Sequence, residues 1–474
     1  MLPTFLFYDL ETFGIDPQLD RIAQFACIRT DASLEEIEEP LTIYCKISPD
    51  YLPDIDACLL TGITPQLTLE KGLCEHDFIQ QINEVFLVPN TCVLGYNNIR
   101  FDDEFVRNAL YRNFLDPYRR EWAEGNSRWD LIDMVRLTHD LRPGNIVWPL
   151  NAESKPSFKL EDLAKANNLT NGKSHDALAD VRNTISMARL IRESAPKLFE
   201  YCYNHRDKHA ISRIVLKEKE ILVHTSRMLE SDYGCTSLIV PLMAHPSRAN
   251  YVISYDLRYD PENLINLPIE ELEKLIFVKK NEPNYSNRVH LKGIHLNKCP
   301  ILAPLSVLDT ESIGRLHLSR DLCQTHYEKL LQAKEEITKK LLLIYSKEPA
   351  YEKDSADPDT QIYSGGFFSD SDRNQFALIH KAKPETLSTL SLKAKDKRVP
   401  EMFFRWQGRN YPETFSEAEL QQWKEFSHKN REAVLSKRNQ TMESYKQQLQ
   451  NLEKKDIAEN LAEWCEALIV RRET

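Results

Sequence analysis

Two carboxylates set two positions apart, Asp9 and Glu11, close the apolar run Phe5-Leu6-Phe7 near the start of the chain. That run, followed by Thr12, Gly14, Asp16 and Pro17, predicts a buried strand ending in a turn. Positions i and i+2 of a strand share a face, so the two acids point the same way. Such a pair is costly unless a cation or hydrogen-bond donors meet it, and a divalent-metal site is the natural reading. A strand end with both acids solvated would carry the same pattern, so the pair alone does not decide. Two more acids sharpen the case. Asp102 follows the turn-forming Gly95-Tyr96-Asn97-Asn98 and sits in the first turn of a predicted helix, where the dipole favours a carboxylate. It could equally be a plain helix-start acid. Asp180 lies toward the first turn of another predicted helix, five residues after His175 in the entering loop.

The elements that must position these residues read as an α/β domain. Ile22–Thr30 and Leu41–Ile47 are predicted strands, and three strands before any long helix suggest a mixed sheet with a hairpin. Cys74–Phe86 and Phe101–Phe114 are predicted helices around a short buried strand at Cys92–Tyr96, an alternation that puts helical layers on a sheet. Ser127–Leu141 and Phe158–Asn167 read as helices, joined by a loop that holds Trp148. Leu178, Val181, Ile185 and Ala188 then repeat at helical spacing. Ligand sites in such sheets form at strand ends, so Asp102 could converge with Asp9 and Glu11.

Farther on, Lys197–His209 is polar and basic and reads as a linker. Ile211–Val223, Thr236–Leu242, Tyr251–Leu257 and Val289–Leu296 are short apolar-polar segments separated by turns, the pattern of a small barrel or sandwich. Arg320–Ser346 reads as one long helix, and the polar, proline-punctuated Pro349–Pro358 as a second boundary. The remainder is helical. Ser416 and Glu419 form a capping box, while Ile457, Leu461, Trp464, Cys465, Leu468 and Ile469 make one apolar stripe that reads as core.

At 474 residues the chain is expected to form about three domains. No apolar run approaches a membrane span, and the amino terminus lacks a signal-peptide pattern, so the sequence reads as cytoplasmic. Ten cysteines without a Cys-x-x-Cys pair read as reduced core residues, not as a disulfide framework or a structural zinc site. The net charge of −11 seems to argue against a polyanionic partner, but its distribution matters more than its sum. Residues 1–60 hold 12 acidic and 3 basic residues, whereas Lys274–Lys298 carries six basic residues against Glu282. An acidic metal-binding end and a basic middle suit an enzyme acting on a polyanion; ordinary surface charge is the alternative.

Taken in order, Asp9-Leu10-Glu11, Phe101-Asp102 and His175 to Asp180 resemble the three motifs of the DEDDh family of 3′-to-5′ exonucleases. All five functional positions are present, and a histidine at 175 instead of tyrosine specifies the branch. The likeness to one bacterial branch runs nearly end to end, through Pro156-Ser157-Phe158-Lys159-Leu160, Asn297-Lys298-Cys299-Pro300, Gly366-Phe367-Phe368-Ser369-Asp370 and Arg409-Asn410-Tyr411-Pro412-Glu413-Thr414. The resemblance implies a ribonuclease H-like exonuclease domain with a mixed sheet over residues 1–196. An SH3-like β-barrel domain over 197–350 and a helical domain over 351–474 would follow. Lys159 departs from the arginine expected in relatives, and lysine cannot make a bidentate phosphate contact.

The resemblance further implies hydrolysis of single-stranded DNA from its 3′ end to nucleoside 5′-monophosphates, processively, in repair and recombination. A nuclease for RNA or short oligonucleotides, or a silent strand-binding scaffold, is the alternative. Two Mg²⁺ ions, replaceable by Mn²⁺, would be held by Asp9, Glu11, Asp102 and Asp180, with Asp9 between them. Glu11 and Asp180 would serve the ion on the nucleophile side and Asp102 the other. His175 would be the general base, its ordinary pKa near ~6.5 suiting the task. Holding a single strand takes cations for phosphates and aromatics for bases. Between Arg107 and Arg136 the two types interleave, and Arg107, Tyr118, Trp122, Arg136 and Lys159 are the favoured contacts. Tyr201, Lys208, Lys292, Lys298 and Tyr363 would continue the groove. The family also binds the acidic carboxy-terminal tail of single-stranded DNA-binding protein, with Arg142 a candidate here, and a monomer is expected.

Overall fold

The computed structural model describes residues 3–172, 176–217, 220–229, 233–347 and 357–473. They fall into two compact units. One joins residues 1–127, 171–182 and 353–474; the other joins 128–170 and 183–352.

The first unit is built on strands β1 (Thr4–Thr12), β2 (Ile22–Thr30), β3 (Leu41–Cys45), β4 (Gly72–Leu73) and β5 (Thr91–Gly95). They lie in the order β4-β3-β2-β1-β5. β1 pairs antiparallel with β2 and parallel with β5, the mixed sheet that the sequence predicts. The helices Glu75–Phe86 and Asp102–Arg112 cover it through Phe78, Ile79, Ile82, Phe105, Val106 and Leu110, all fully buried against Leu6, Tyr8 and Phe25.

The carboxy-terminal helices share the core of this unit. Val434, Leu435, Tyr445, Leu449, Ile457, Leu461 and Trp464 pack with Phe13, Ile47, Tyr51, Leu52 and Ile55. Of the predicted stripe, Ile469 alone stays more than a third exposed. Buried charges reinforce the junction. Arg409 donates from Nε to Asp50 Oδ2 at 2.8 Å and from Nη2 to Asp359 Oδ2 at 2.5 Å. Arg112 donates to Glu75 at 2.8 Å. Burial alone would raise the Asp50 carboxyl, but Arg409 and Arg21 outweigh it and hold the pKa well below the usual range.

In the second unit, β7 (Leu222–Thr225), β8 (Thr236–Ala244), β9 (Tyr251–Asp256), β10 (Leu291–His295) and β11 (Ile301–Pro304) form an antiparallel sheet in the order β10-β9-β8-β7-β11. Its core gathers Leu222, Ile239, Val252, Ile294 and Leu302 with Ile211 and Val215 from the helix Lys208–Lys217.

Several elements differ from the sequence expectation. Ser127–Leu141 is not one helix: β6 (Ser127–Asp130) precedes the helix Leu131–Leu141, and Asp130 is its cap, accepting from Ile132 N at 3.1 Å. The stretch read as a linker holds the helix Pro196–Asn204, fastened by buried Leu198, Phe199 and Cys202. Ile211 likewise belongs to a helix, not to a strand. The long helix breaks at Ala333 into Arg320–Gln332 and Lys334–Tyr345. The Ser416–Glu419 capping box forms in both directions. None of the ten cysteines is in a disulfide, and eight are buried. Among the described residues no helix is long and apolar enough to cross a membrane.

Candidate active site

β1 delivers Asp9 and Glu11 from its carboxyl end, where the pairing with β2 shifts register between Glu11 and Thr12. Such irregularities re-aim side chains at strand ends. β5 reaches the same edge because residue 95 is glycine: a Cβ there would stand 2.7 Å from the Tyr8 carbonyl oxygen. Asn97 then turns the chain, adopting the left-handed region at φ 67°, and Asp102 opens the next helix. The helix Ala177–Ser194 brings Asp180. Its start is held by Gln24, which lies opposite Glu11 in the β1–β2 pairing and accepts a long hydrogen bond from Ala177 N at 3.4 Å.

Asp9, Glu11, Asp102 and Asp180 line one cavity of about 460 Å³ together with Asp54, Asp56, Tyr96, Asn97 and Phe101. One oxygen from each of Asp9, Glu11 and Asp180 lies within 4.8 Å of the others. Asp102, 4% exposed, lines the same cavity. Burial pushes the Asp9 carboxyl well above its ordinary range, and Asp102, Glu11, Asp180 and Asp176 push it further. Burial, then Asp180 and Asp176, raises Glu11 to about 8. The charges acting most strongly on Asp9 are thus all negative. A cluster of this kind is built for a hard cation that takes oxygen ligands, and the four carboxylates fit that group. His175, the remaining member of the predicted set, lies outside the described residues.

Family profiles cover most of the chain. The profile described as Exonuclease matches residues 6–188, the Exonuclease I SH3-like domain matches 206–347, and the Exonuclease I C-terminal domain matches 356–468. Exodeoxyribonuclease I of Escherichia coli strain K12 is 43% identical over 424 residues, 89% of this chain and 88% of that protein.

The chain belongs to the exonuclease I family.

It is accordingly an exonuclease, a hydrolase, with a ribonuclease H-like exonuclease fold, an SH3-like domain and the family's carboxy-terminal domain. A zinc-bound E. coli exonuclease I–ssDNA complex superposes with a TM-score of 0.91 at 39% identity, covering 99% of this chain and all of that one. A complex of SSB and exonuclease I with the inhibitor CFAM superposes at 0.87, with 39% identity and coverage of 99% and 100%.

The predicted strand contacts differ in what they present. In the first unit, Arg107 is 5% exposed and grips Glu121 through two nitrogens, at 2.9 and 3.0 Å, and Glu104 through a third. It therefore offers no free cation, and it lies against the Tyr118 ring at 5.3 Å. Trp122 is 68% exposed, so it is not a core residue, and Tyr363 is 52% exposed while donating its hydroxyl to Glu104. Phe367, for which the sequence raised no contact role, is 83% exposed and meets Tyr118 edge-on at 6.4 Å. In the second unit, Arg136 is buried and paired with Asp133 at 2.6 Å, again with no free charge. Lys159 and Lys208 are exposed, and Lys298 is half-buried. Lys292 donates to the Met228 carbonyl at 2.8 Å, and Tyr201 to that of Leu302 at 3.1 Å. Arg142 pairs with Asp309 at 3.0 Å and donates to the Val307 carbonyl.

Sequence reasoning assigns no role to Asp103 or Tyr8 and reads Arg120 only as one of the cations interleaved with aromatics between Arg107 and Arg136. Tyr8 donates its hydroxyl to Asp103 Oδ1 at 2.6 Å, and Arg120 Nη2 donates to the same oxygen at 2.7 Å. All three are buried. The adjacency of Asp102 and Asp103 was the one available signal: on a helix, neighbouring residues face different ways.

Proposed function

We propose that this chain is a 3′-to-5′ exonuclease that hydrolyses single-stranded DNA to nucleoside 5′-monophosphates. The observation that carries the reading is the gathering of Asp9, Glu11 and Asp180 oxygens within 4.8 Å in a cavity that Asp102 also lines. Asp9, Glu11, Asp102 and Asp180 would hold two Mg²⁺ ions, for which Mn²⁺ can substitute. When bound, such ions neutralise the phosphate and favour a hydroxide nucleophile. The protein's own share is positional. The carboxylates fix where the phosphodiester comes to rest, and Tyr96 and Phe101 wall the cavity. His175 takes the proton of the attacking water as general base. Exposed Trp122, Tyr363 and Phe367 offer stacking faces for bases, and Lys159 and Lys208 offer phosphate contacts.

The E. coli relative in complex with ssDNA supports the substrate, and the SSB complex supports a tail of single-stranded DNA-binding protein as partner, with Arg142 a candidate contact. The nuclease chemistry is assigned to residues 1–196, the SH3-like segment to 197–350 and the helical segment to 351–474. The enzyme works processively as a cytoplasmic monomer in DNA repair and recombination.

The test is hydrolysis of 5′-labelled single-stranded oligodeoxynucleotides with and without Mg²⁺, beside an RNA of the same sequence and a 3′-blocked DNA. Cleavage of DNA shortening from the 3′ end in Mg²⁺ is expected, with mononucleotide products. Asp180→Ala should abolish cleavage and leave strand binding largely intact. Near-normal turnover by that variant, or equal use of RNA, would overturn the assignment.

A further inference from the structure

Beside the residues of the acidic cavity the chain places a second polar cluster, Tyr8, Asp103 and Arg120, that is not part of the cavity's lining. Tyr8 precedes Asp9, and Asp103 follows Asp102, so the two outer residues flank the two inner carboxylates in the chain. Alternation along β1 turns Tyr8 to the face opposite Asp9. There its ring meets Phe86 edge-on at 5.1 Å, and the Arg120 guanidinium lies over the same Phe86 ring at 4.8 Å. Both groups converge on one oxygen, Asp103 Oδ1. Arg120 Nε and Nη1 are buried and find no partner among the described residues, so Asp103 is the anchor of that charge.

Stability alone does not account for this arrangement. A well-packed apolar trio would hold the fold as well or better than a buried ion pair. Directed hydrogen bonds supply instead a fixed geometry, and the helix that carries Asp102 needs one. Its cap residue is Phe101, at φ −129° and ψ −77°, with no side-chain cap hydrogen bond. No side-chain cap therefore fixes where that helix begins, and the bond from Tyr8 to Asp103 ties its first turn directly to β1.

We infer that Tyr8, Asp103 and Arg120 form an outer brace that fixes the spacing of Asp9 and Asp102, and that all three are positioning residues for divalent-cation binding. The inference rests on the reading of the cavity as a metal site. Groups that orient metal ligands from outside typically contribute 10–100-fold to affinity or activity.

The test is calorimetric titration of the full chain with Mn²⁺ in the absence of DNA. Tyr8→Phe removes one hydroxyl and keeps the ring, so the fold should survive; its Mn²⁺ affinity is expected to fall roughly 10-fold or more. Saturating Mn²⁺ should restore most of its kcat, since the ligands themselves remain. Asp103→Asn, if it folds, should lose at least as much affinity. Leu110→Ala, in the same apolar cluster, is the control for mere destabilisation and should melt earlier with Mn²⁺ affinity unchanged. Wild-type affinity in Tyr8→Phe, or an equal loss in Leu110→Ala, would overturn the brace. Failure of the wild-type chain to take up Mn²⁺ at all would instead overturn the metal reading of the cavity, and the brace with it.

Discussion

Replacing Glu11 by Gln should make the metal-free protein more stable while crippling the enzyme. The Glu11 carboxyl is raised from 4.5 to about 8 by burial and by Asp180 and Asp176. Because its folded pKa lies above the unfolded one, folding costs nothing through this group below about pH 4.5, and the penalty grows as pH rises toward 8. One pKa unit is worth ~1.4 kcal/mol, so the penalty is about 3 kcal/mol at pH 7 and about 1 kcal/mol at pH 5. Glutamine keeps the shape without the charge and escapes it. Urea unfolding in EDTA, followed by tryptophan fluorescence, should show the variant ahead of wild type by a gap that widens between pH 5 and pH 7. Added Mg²⁺ should stabilise wild type more than the variant, because binding to the folded state adds to stability. A variant no more stable at pH 7, or a gap that ignores pH, would refute the reasoning that these carboxylates wait on a cation.

Three other outcomes are expected. His175→Ala should lose roughly 10² to 10⁴ in turnover, as for removal of a general base, with metal binding retained; unchanged rates in a pH profile would remove it from the mechanism. Trp122→Ala should weaken binding to a single strand by about 1–3 kcal/mol without much change in its salt dependence, measured by anisotropy at several salt concentrations. Arg409→Met removes the guanidinium that bridges buried Asp50 and Asp359, leaving Arg21 near the first and Arg405 near the second, and should cost about 3–5 kcal/mol of folding stability, read as a drop in the unfolding midpoint at neutral pH; a midpoint within error of wild type would show that the pair is not relied upon.

What the sequence disclosed is the part of the structure written in short-range order. Phe5 to Glu11 announces a strand by an apolar run that ends in polar, turn-forming residues, and Ser416 with Glu419 announces a helix start, because both signals lie within a few residues. Strand-end geometry suggested that Asp102 could meet Asp9 and Glu11, but joining Asp180 to them took family order, since it comes on the separate helix Ala177–Ser194. Misreadings arose where a local pattern had a distant partner. Lys197–His209 looks like a linker until Leu198 and Phe199 are buried; the pairing of Arg107 with Glu121 and of Arg136 with Asp133 is a further fact of the fold that the sequence leaves unstated. Ser127–Leu141 keeps a helical apolar pattern across the point where Asp130 caps and thereby restarts the chain.

The sharing of one core by the first and last quarters of the chain has a bearing on how the enzyme comes into being. Residues 9 to 180 carry the acidic cavity, yet Asp50 and Tyr51, in the same unit, are matched by Arg409, Arg438 and Tyr445, which are made more than 200 residues after Asp180. A growing polypeptide therefore carries the cutting residues long before it can lock them in place. A product cut short before Arg409 would lack the partners of Asp50 and Tyr51 and half of the core around Phe13 and Ile55.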